Sequence, residues 1–179
     1  MNAVRYYAGI GSRRTPNNVL AIMSEFAVKA ANRGFVLRSG GANGADKAFE
    51  AGCDLVGGKK EIYLPWKKFN DSESSFFQLS DSALLSVDKY HPSPLSLTLG
   101  ARKLMARNYQ QVLGDGHWPV PVTFVLCWTQ GDLNSGGTSQ ALRIAIDHGV
   151  PYFNLASGDA NEIAKMVCIN ILGSTWGNP

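Results

Sequence analysis

Cysteine is scarce in this sequence. Three cysteines, Cys53, Cys127 and Cys168, stand far apart in apolar surroundings within a chain of 179 residues. An odd number without close pairs excludes a disulfide framework and provides no thiol pair with the spacing of a zinc site. We therefore expect buried, reduced thiols, which are typical of a protein of the cytoplasm.

Long hydrophobic runs and a strong excess of one charge are also missing. No apolar stretch approaches the roughly 18 residues that span a bilayer, and residues 1–5 lack a signal-peptide pattern, so we expect no membrane partner. The 17 Lys and Arg residues nearly balance the 14 Asp and Glu residues, and a net charge of +3 does not by itself indicate nucleic-acid binding. The histidines His91, His117 and His148 lack metal-ligand spacing, so the sequence predicts no metal site and no cofactor.

Glycine, in contrast, is abundant, with 19 residues, and apolar residues make up 45% of the chain, as in a globular domain with a sizeable core. Thr15 and Asp159 are the expected N-caps of the first and last helices. The predicted strands are 5–10, 35–38, 60–65, 122–128 and 151–155, and the predicted helices are 16–34, 45–55, 76–87, 97–113, 138–148 and 159–172. This alternation predicts one α/β domain over 1–172, an open parallel sheet with helices on both faces, followed by a loose tail over 173–179.

Three glycine-rich turns stand where a predicted strand ends and a helix begins. We call them the first turn (GIGSRRTP, 9–16), the second turn (SGGANGAD, 39–46) and the third turn (NSGGTS, 134–139). Glycine lets the backbone approach a ligand, the N–H groups of such turns point outward, and the helix dipole favours negative charge. Because the carboxyl ends of parallel strands meet at one edge, the turns predict a shared site for a ligand with phosphates, such as a nucleotide.

Each turn allows a structural interpretation beside the ligand-binding one. The planar guanidinium of Arg13 can bind two phosphate oxygens at once, but a tight turn with a solvent-facing arginine has the same sequence. Asp46 either caps its helix, or binds a ribose hydroxyl or takes part in chemistry at the sugar. The hydroxyls of Thr138 and Ser139 can cap a helix and bind phosphate together. The candidate ligand-binding residues of the turns are Gly11, Ser12, Arg13, Ser39, Gly40, Gly41, Asn43, Asp46, Gly136, Gly137, Thr138 and Ser139.

Further candidates lie outside the turns. Arg102 and Arg107 fall about 140° apart on the helix predicted over 97–113, so at most one of them faces a ligand squarely. We expect Arg107 and its neighbour Asn108 at the ligand, whereas the alternative is a surface helix with charge pairs. Trp128 ends the most apolar strand and either stacks on a base or belongs to the core.

Taken in order, these motifs resemble the SLOG superfamily, the Rossmann-like group that joins DprA/Smf DNA-processing proteins to the LOG nucleotide phosphoribohydrolases. The resemblance rests on GIGSR at 9–13, SGGANGAD at 39–46 and GGT at 136–138, and it covers nearly all of 4–170. The middle motif is especially similar to small SLOG proteins, many of them from bacteria and phages. The resemblance implies a Rossmann-like fold with a pocket for a nucleotide derivative, located in the cytoplasm, or in the host cytoplasm for a phage protein.

The catalytic pattern of LOG enzymes is incomplete in this chain. RKLM at 102–105 matches its arginine-lysine-x-methionine part, but SQA at 139–141 stands where LOG enzymes carry glutamate. Glutamine can hydrogen-bond a ribose but can neither stabilise an oxocarbenium charge nor take a proton. If the protein is an enzyme, the carboxylates that can substitute are Asp46, Glu50 and Asp132.

Three functions remain open. The first, which best fits the missing glutamate, is a sensor or sequestering protein that binds a small nucleotide or nucleotide-sugar, including NAD-derived or cyclic signalling nucleotides. The second is a LOG-like nucleotide N-glycosidase. The third is a DprA-like single-stranded DNA-binding protein, which low charge and the lack of a basic stripe disfavour. The resemblance also implies a homo-oligomer, for which Met105 and Tyr109 are the candidate apolar surface.

Overall fold

The computed structural model describes residues 3–115, 119–134 and 136–177, so His117 and Ser135 lie outside the described residues. In these ranges the strands are β1 (Arg5–Gly11), β2 (Phe35–Ser39), β3 (Lys60–Ile62), β4 (Phe124–Trp128) and β5 (Tyr152–Asn154). The α-helices are α1 (Asn17–Asn32), α2 (Ala45–Leu55), α3 (Asp81–Tyr90), α4 (Leu99–Leu113), α5 (Gly137–Asp147) and α6 (Ala160–Val167). None of these helices is both long enough and apolar enough to cross a membrane.

Strand β4 shows why helices cover both faces of the sheet. Its Phe124 and Leu126 belong to a core cluster with residues of α1, α2 and α6, whereas its Val125 and Cys127 belong to a second cluster with residues of α4 and α5. Side chains alternate across a strand, so a continuous apolar run is required wherever both faces are covered. The predicted α/β domain with one open parallel sheet is confirmed.

The strand order places the three glycine-rich turns side by side. The order is β3-β2-β1-β4-β5, and every neighbouring pair is parallel. The chain therefore reverses its direction across the sheet between β1 and β4, and ligands of open parallel sheets bind outside the carboxyl ends of the strands at such a switch point. The first turn follows β1, the second follows β2 and the third precedes α5, so all three lie at this edge.

One predicted cap is wrong, one helix begins five residues later than predicted, and another cap is confirmed. Thr15 does not cap α1, because its hydroxyl donates at 2.7 Å to the backbone oxygen of Ser12 and so tightens the first turn. Helix α3 begins at Asp81 and not at 76, because Ser80 caps it there. Asp159 caps α6, as predicted, by accepting a backbone N–H at 3.0 Å.

The described part of the tail is packed, in contrast to the loose segment that we predicted. The rings of Trp176 and Phe26 are 6.4 Å apart between centroids, and the indole N–H of Trp176 donates to Asn161 at 2.8 Å. The amino group of Lys29 lies 5.9 Å above the same indole ring. Residues 173–177 therefore close the core beside α1 and α6.

Candidate functional site

A cavity of about 350 Å³ opens at the switch point, between the end of β1, helix α4 and the start of α5. Its volume is at the lower end of the range for ligand pockets, roughly 300–1,000 Å³. Of the predicted ligand-binding residues, the structure brings together at this cavity Gly11, Ser12, Arg13, Asp46, Arg107, Asn108, Gly136, Gly137 and Thr138. It places outside the lining Ser39, Gly40, Gly41, Asn43, Trp128 and Ser139. Trp128 belongs to the core cluster, which was the structural interpretation of this residue.

The carboxylate of Asp46 joins the first turn to the second. Its Oδ1 accepts the backbone N–H of Gly11 and its Oδ2 accepts that of Ala42, each at 3.2 Å. The backbone N–H of Ser12 donates to the backbone oxygen of Trp128 at 3.0 Å. Three backbone donors of the first two turns, two of them at candidate ligand-binding residues, therefore have acceptors within the protein. Asp46 acts as a bridge between two loops and not only as a favourable charge at the start of α2.

Arg107 is the cation beside Asp46. Its Nη2 lies 4.0 Å from Oδ2 of Asp46, and its Nη1 donates to the backbone oxygen of Gly40. Burial raises the pKa of Asp46, and Arg107 and the backbone N–H groups oppose that rise. Burial also lowers the pKa of Arg107, against the effect of Asp46. The Nε atom of Arg107 is buried and has no hydrogen-bond partner among the described residues, so this guanidinium is incompletely paired.

The small size of Gly40 serves the packing of the second turn against α4. A β-carbon at this position would collide with the amide nitrogen of Gln111 and would lie 2.8 Å from the guanidinium carbon of Arg107. Ser39 also has an internal role, since its hydroxyl donates to the backbone oxygen of Gly9 at 2.6 Å. These polar and glycine positions explain the shape of the cavity without direct contact to a ligand.

The third turn differs from the first two because nothing in the described chain closes it. Helix α5 begins at Gly137 with no side-chain cap from Gly136 and no acidic residue in its first turn. The hydroxyl of Ser139 donates at 3.1 Å to a backbone oxygen of the preceding loop. Asn108 of α4 donates to the backbone oxygen of Gly137 at 3.0 Å, which holds this end of α5 against the cavity. Gly137 and Thr138 therefore present the positive end of a helix to the cavity.

Two arginines stand at the mouth of the cavity. Arg13 and Arg14 are exposed and both contribute to the lining. The ion pairs found within the described ranges include neither of them. Together with the start of α5 they give this side of the cavity a positive character that favours an anion.

Part of the lining was not predicted from the sequence. Gln111 follows Arg107 by four residues, so helical spacing was a usable signal for it. The neighbouring Arg14 stands in the first turn itself, whereas Thr129 carries no signal of its own. The unpredicted lining residues are Ile10, Arg14, Ala42, Leu104, Met105, Gln111 and Thr129.

The surface that we expected for self-association is not exposed. Met105 and Tyr109 are half-buried and pack against the small cluster of Ala83, Val87 and Ala106. Met105 faces the cavity as well. These two residues therefore do not form the predicted apolar patch, and a homo-oligomer stays a prediction.

Asp46 is the only acidic side chain among the described residues that line the cavity. Glu50 instead forms ion pairs with Lys60 at 3.2 Å and Lys47 at 3.5 Å beside a separate depression. Asp132 accepts a backbone N–H at 2.9 Å in an exposed loop. Within the described ranges no group of three or more His, Cys, Asp or Glu side chains is arranged to hold a metal ion.

Comparison with known proteins yields similarity in structure alone. No family model matches the chain, and no match is found among curated proteins. One similar structure is the single-stranded-DNA-binding DNA processing protein A from Helicobacter pylori, with 18% identity and a TM-score of 0.55, where the match covers 94% of this chain and 77% of that one. A second is the Moco carrier protein from Chlamydomonas reinhardtii, with 14% identity, a TM-score of 0.54 and coverage of 94% and 86%.

A third similar structure is DprA from Streptococcus pneumoniae, with 15% identity and a TM-score of 0.54. The match covers 95% of this chain but only 56% of the pneumococcal protein, so this chain spans little more than half of its length. At such low identities the likeness concerns the fold. The chain has the Rossmann-like architecture that it shares with DNA processing protein A and the Moco carrier protein.

Proposed function

We propose that the protein binds a small phosphorylated ligand of the nucleotide type in the cavity at the switch point, with a phosphate at the start of α5. The observation that carries this proposal is the open helix N-terminus at Gly137 and Thr138, which faces a cavity flanked by Arg13 and Arg14. Backbone N–H groups and the helix dipole at such a terminus favour a phosphate, and arginine adds paired donors.

The rest of the lining suits the sugar and base of such a ligand. Leu104, Met105 and Ile10 supply apolar surface, while Asn108 and Thr138 supply polar groups. A mostly apolar wall with a few fixed polar groups is the usual composition of a small-molecule site. A sensor or sequestering role, with the ligand bound and not converted, agrees with the internally bonded state of Asp46, the one carboxylate that the described residues place at the cavity.

The first experiment is mass spectrometry on any ligand released by denaturing the freshly purified protein, together with thermal-shift measurements with mononucleotides, NAD, ADP-ribose and cyclic nucleotides. We expect an intact nucleotide and a raised melting temperature with at least one of these compounds. Release of a free base with a ribose phosphate supports N-glycosidase activity instead, and Asp46→Asn then tests the carboxylate of Asp46, which lines the cavity. The absence of any bound or stabilising nucleotide contradicts the proposal.

The Thr138→Asp variant tests the phosphate position directly. A carboxylate in the first turn of α5 occupies the positive end of the helix and repels phosphate, so we expect affinity to fall more than tenfold. The matched control is Asn17→Asp, which adds the same charge to the first turn of α1, where Asn17 is exposed and outside the lining. Equal affinities of the two variants for a nucleotide contradict a phosphate at α5.

Single-stranded DNA is the second candidate ligand. The observation in its favour is the exposed pair Arg13 and Arg14, which lies at the mouth of a fold shared with the DNA-binding protein of Helicobacter pylori. Binding of a labelled deoxythymidine oligonucleotide should then weaken steeply between about 50 and 200 mM salt and weaken again in Arg13→Ala. Binding that is absent or independent of salt excludes this candidate.

A further inference from the structure

A second set of polar side chains lies in the same cavity, on the side of β2. Arg107 and Gln111 are four residues apart on α4 and therefore share one face of the helix. Only 7% of Arg107 and 2% of Gln111 is exposed, yet both residues line the cavity. Both also lie against Gly40 of the second turn, whose missing side chain leaves room for them.

Neither side chain has its hydrogen-bonding capacity met within the described chain. Among the described residues, the one side-chain hydrogen bond that Arg107 donates goes to Gly40, and the Nε of Arg107 has no partner. Asp46 is 4.0 Å away and directs both oxygens to backbone N–H groups, so it neutralises Arg107 incompletely. The side-chain hydrogen bonds of α4 in the described ranges come from Arg102, Arg107, Asn108 and Gln110, and none comes from Gln111.

Buried polar side chains in folded proteins nearly always have partners. An arginine and a glutamine that are both more than nine-tenths buried and both face a cavity therefore indicate a partner that enters the cavity. The guanidinium is a donor only, and the amide NH₂ adds two donors, so the partner that suits this pair is an oxyanion.

The pair and the start of α5 lie beside turns whose strands flank β1 on its two sides. Arg107 contacts the second turn, which follows β2, whereas Asn108 contacts Gly137 at the start of α5, which follows β4. Neighbouring strands are ~4.8 Å apart, so groups beside β2 and groups beside β4 are farther apart than the two phosphates of a diphosphate. The adjacent phosphates of a nucleoside diphosphate are joined by one oxygen and are too close together to occupy both.

We propose that the ligand carries two separate anionic groups, one at the start of α5 and the other on Arg107 and Gln111 beside the second turn. This inference rests on the proposed function and narrows its ligand class. It favours a nucleoside with phosphates on different positions of the sugar, such as a 3′,5′-bisphosphate, over a 5′-monophosphate or a 5′-diphosphate. Asp46 then acts as a positioning residue, since it holds the second turn against α4.

The experiment is titration calorimetry with the 5′-monophosphate, 5′-diphosphate and 3′,5′-bisphosphate of adenosine and of guanosine. We expect the wild-type protein to bind a bisphosphate roughly 10- to 100-fold more tightly than the matching monophosphate, as for one or more charge-assisted hydrogen bonds. Arg107→Met should abolish that gain, and Gln111→Met should reduce it. The matched control is Arg102→Met on the same helix, because Arg102 pairs with Asp88 outside the lining and should keep the full gain.

The outcomes separate this inference from the proposed function. Equal affinity of the wild-type protein for monophosphate and bisphosphate overturns the second anion position and leaves the proposed function intact. A gain that survives in both Arg107→Met and Gln111→Met overturns it as well. Failure of every nucleotide to bind contradicts the proposed function and this inference together. If Arg107→Met does not unfold cooperatively on heating, Gln111→Met decides the result.

Discussion

The three glycine-rich turns have similar sequences, but the first two differ from the third in whether a carboxylate of the protein accepts their backbone N–H groups. In the first two, the carboxylate of Asp46 accepts backbone N–H groups from both loops, at Gly11 and Ala42. In the third, helix α5 begins at Gly137 with no cap and no acidic residue in its first turn, within the described chain. Among the described residues, the first two turns thus share an internal carboxylate, whereas the start of α5 has none.

This difference shows that similar glycine-rich turns can have different tasks, since the backbone N–H groups of a turn can serve either the fold or a ligand. Asp46 fixes two loops from consecutive strands to one another, which is a structural task performed by the same N–H groups that bind phosphate elsewhere. In the described part of the third turn no carboxylate takes this place, and under the proposed function the donors there bind the ligand. Glycine content alone cannot distinguish these cases; the position of an acidic residue in the following helix does.

Removal of the internal anion should have the largest effect. Asp46→Ala leaves the N–H groups of Gly11 and Ala42 without acceptors and leaves Arg107 buried without its carboxylate, so we expect a loss of about 3–5 kcal/mol in the free energy of unfolding. Urea denaturation measures this loss. The control is Asp54→Ala on the same helix, because Asp54 is exposed and its ion pair with Lys60 is worth at most about 1 kcal/mol. Similar losses in the two variants contradict the bridging role of Asp46.

Asp46→Asn should cost less and should reveal the protonation of the carboxylate. The NH₂ group of the new asparagine faces one of the two backbone N–H groups, of Gly11 and Ala42, that the carboxylate accepts. Two donors then face each other, which should lower the free energy of unfolding by about 1–3 kcal/mol. Burial raises the pKa of Asp46 above its ordinary value of 3.8. An acid with a higher pKa in the folded state contributes its full stability below pH 3.8 and loses it as pH rises through the folded pKa.

Asparagine has no proton to lose, so the stability difference between the wild type and Asp46→Asn should shrink as pH rises through that interval. Urea denaturation at a series of pH values, with the exposed-site variant Asp54→Asn as the reference, measures the trend. A difference that instead grows with pH means that Arg107 and the backbone N–H groups outweigh burial at Asp46.

Two glycines in equivalent positions, one before α2 and one before α5, allow the second and third turns to be compared in backbone strain and in free space. Gly44, before α2, has φ 84°, and Gly136, before α5, has φ 83°. A β-carbon on Gly44 would lie 2.7 Å from the backbone oxygen of Ser12 and 2.8 Å from Cα of Arg13, whereas one on Gly136 meets nothing within 4 Å in the described chain.

Alanine at either position is strained by the positive φ, which should lower the free energy of unfolding by about 1–3 kcal/mol. Gly44→Ala should lose about 1–3 kcal/mol more, because the two closed turns cannot separate to admit the methyl group. Thermal unfolding of the two variants side by side measures the difference. Equal losses would show that the first and second turns are not rigidly packed.

The sequence predicted the fold far better than it predicted the site, for a physical reason. Apolar runs and helical spacing are local, so the run that ends at Trp128 and the helix over 45–55 could be placed from neighbouring residues alone. The hydrogen bond between Gly11 and Asp46 joins residues 35 positions apart, and no spacing rule predicts it. For Trp176, likewise, only the folded chain shows that α1 offers a surface for its ring.

The smallest expected effect comes from placing a carboxylate at the start of α5, in the position that Asp46 has in α2. Without ligand, Thr138→Asp should raise the free energy of unfolding by about 0.3–1 kcal/mol at low salt, because a carboxylate suits the positive end of α5, and Thr138→Lys should lower it by a similar amount. Asn17→Asp should give a similar rise, since α1 also lacks an acidic residue in its first turn.

A saturating nucleotide should reverse the order of these proteins. It stabilises the wild type and Asn17→Asp by an amount that grows with the logarithm of the nucleotide concentration over Kd, and it stabilises Thr138→Asp less because the affinity of that variant is lower. Urea denaturation with and without a nucleotide therefore tests both halves of the comparison in one experiment. If Thr138→Asp lowers the free energy of unfolding in the absence of ligand, the start of α5 is not an open anion site. The third turn then shares only its glycines with the turns that Asp46 bridges.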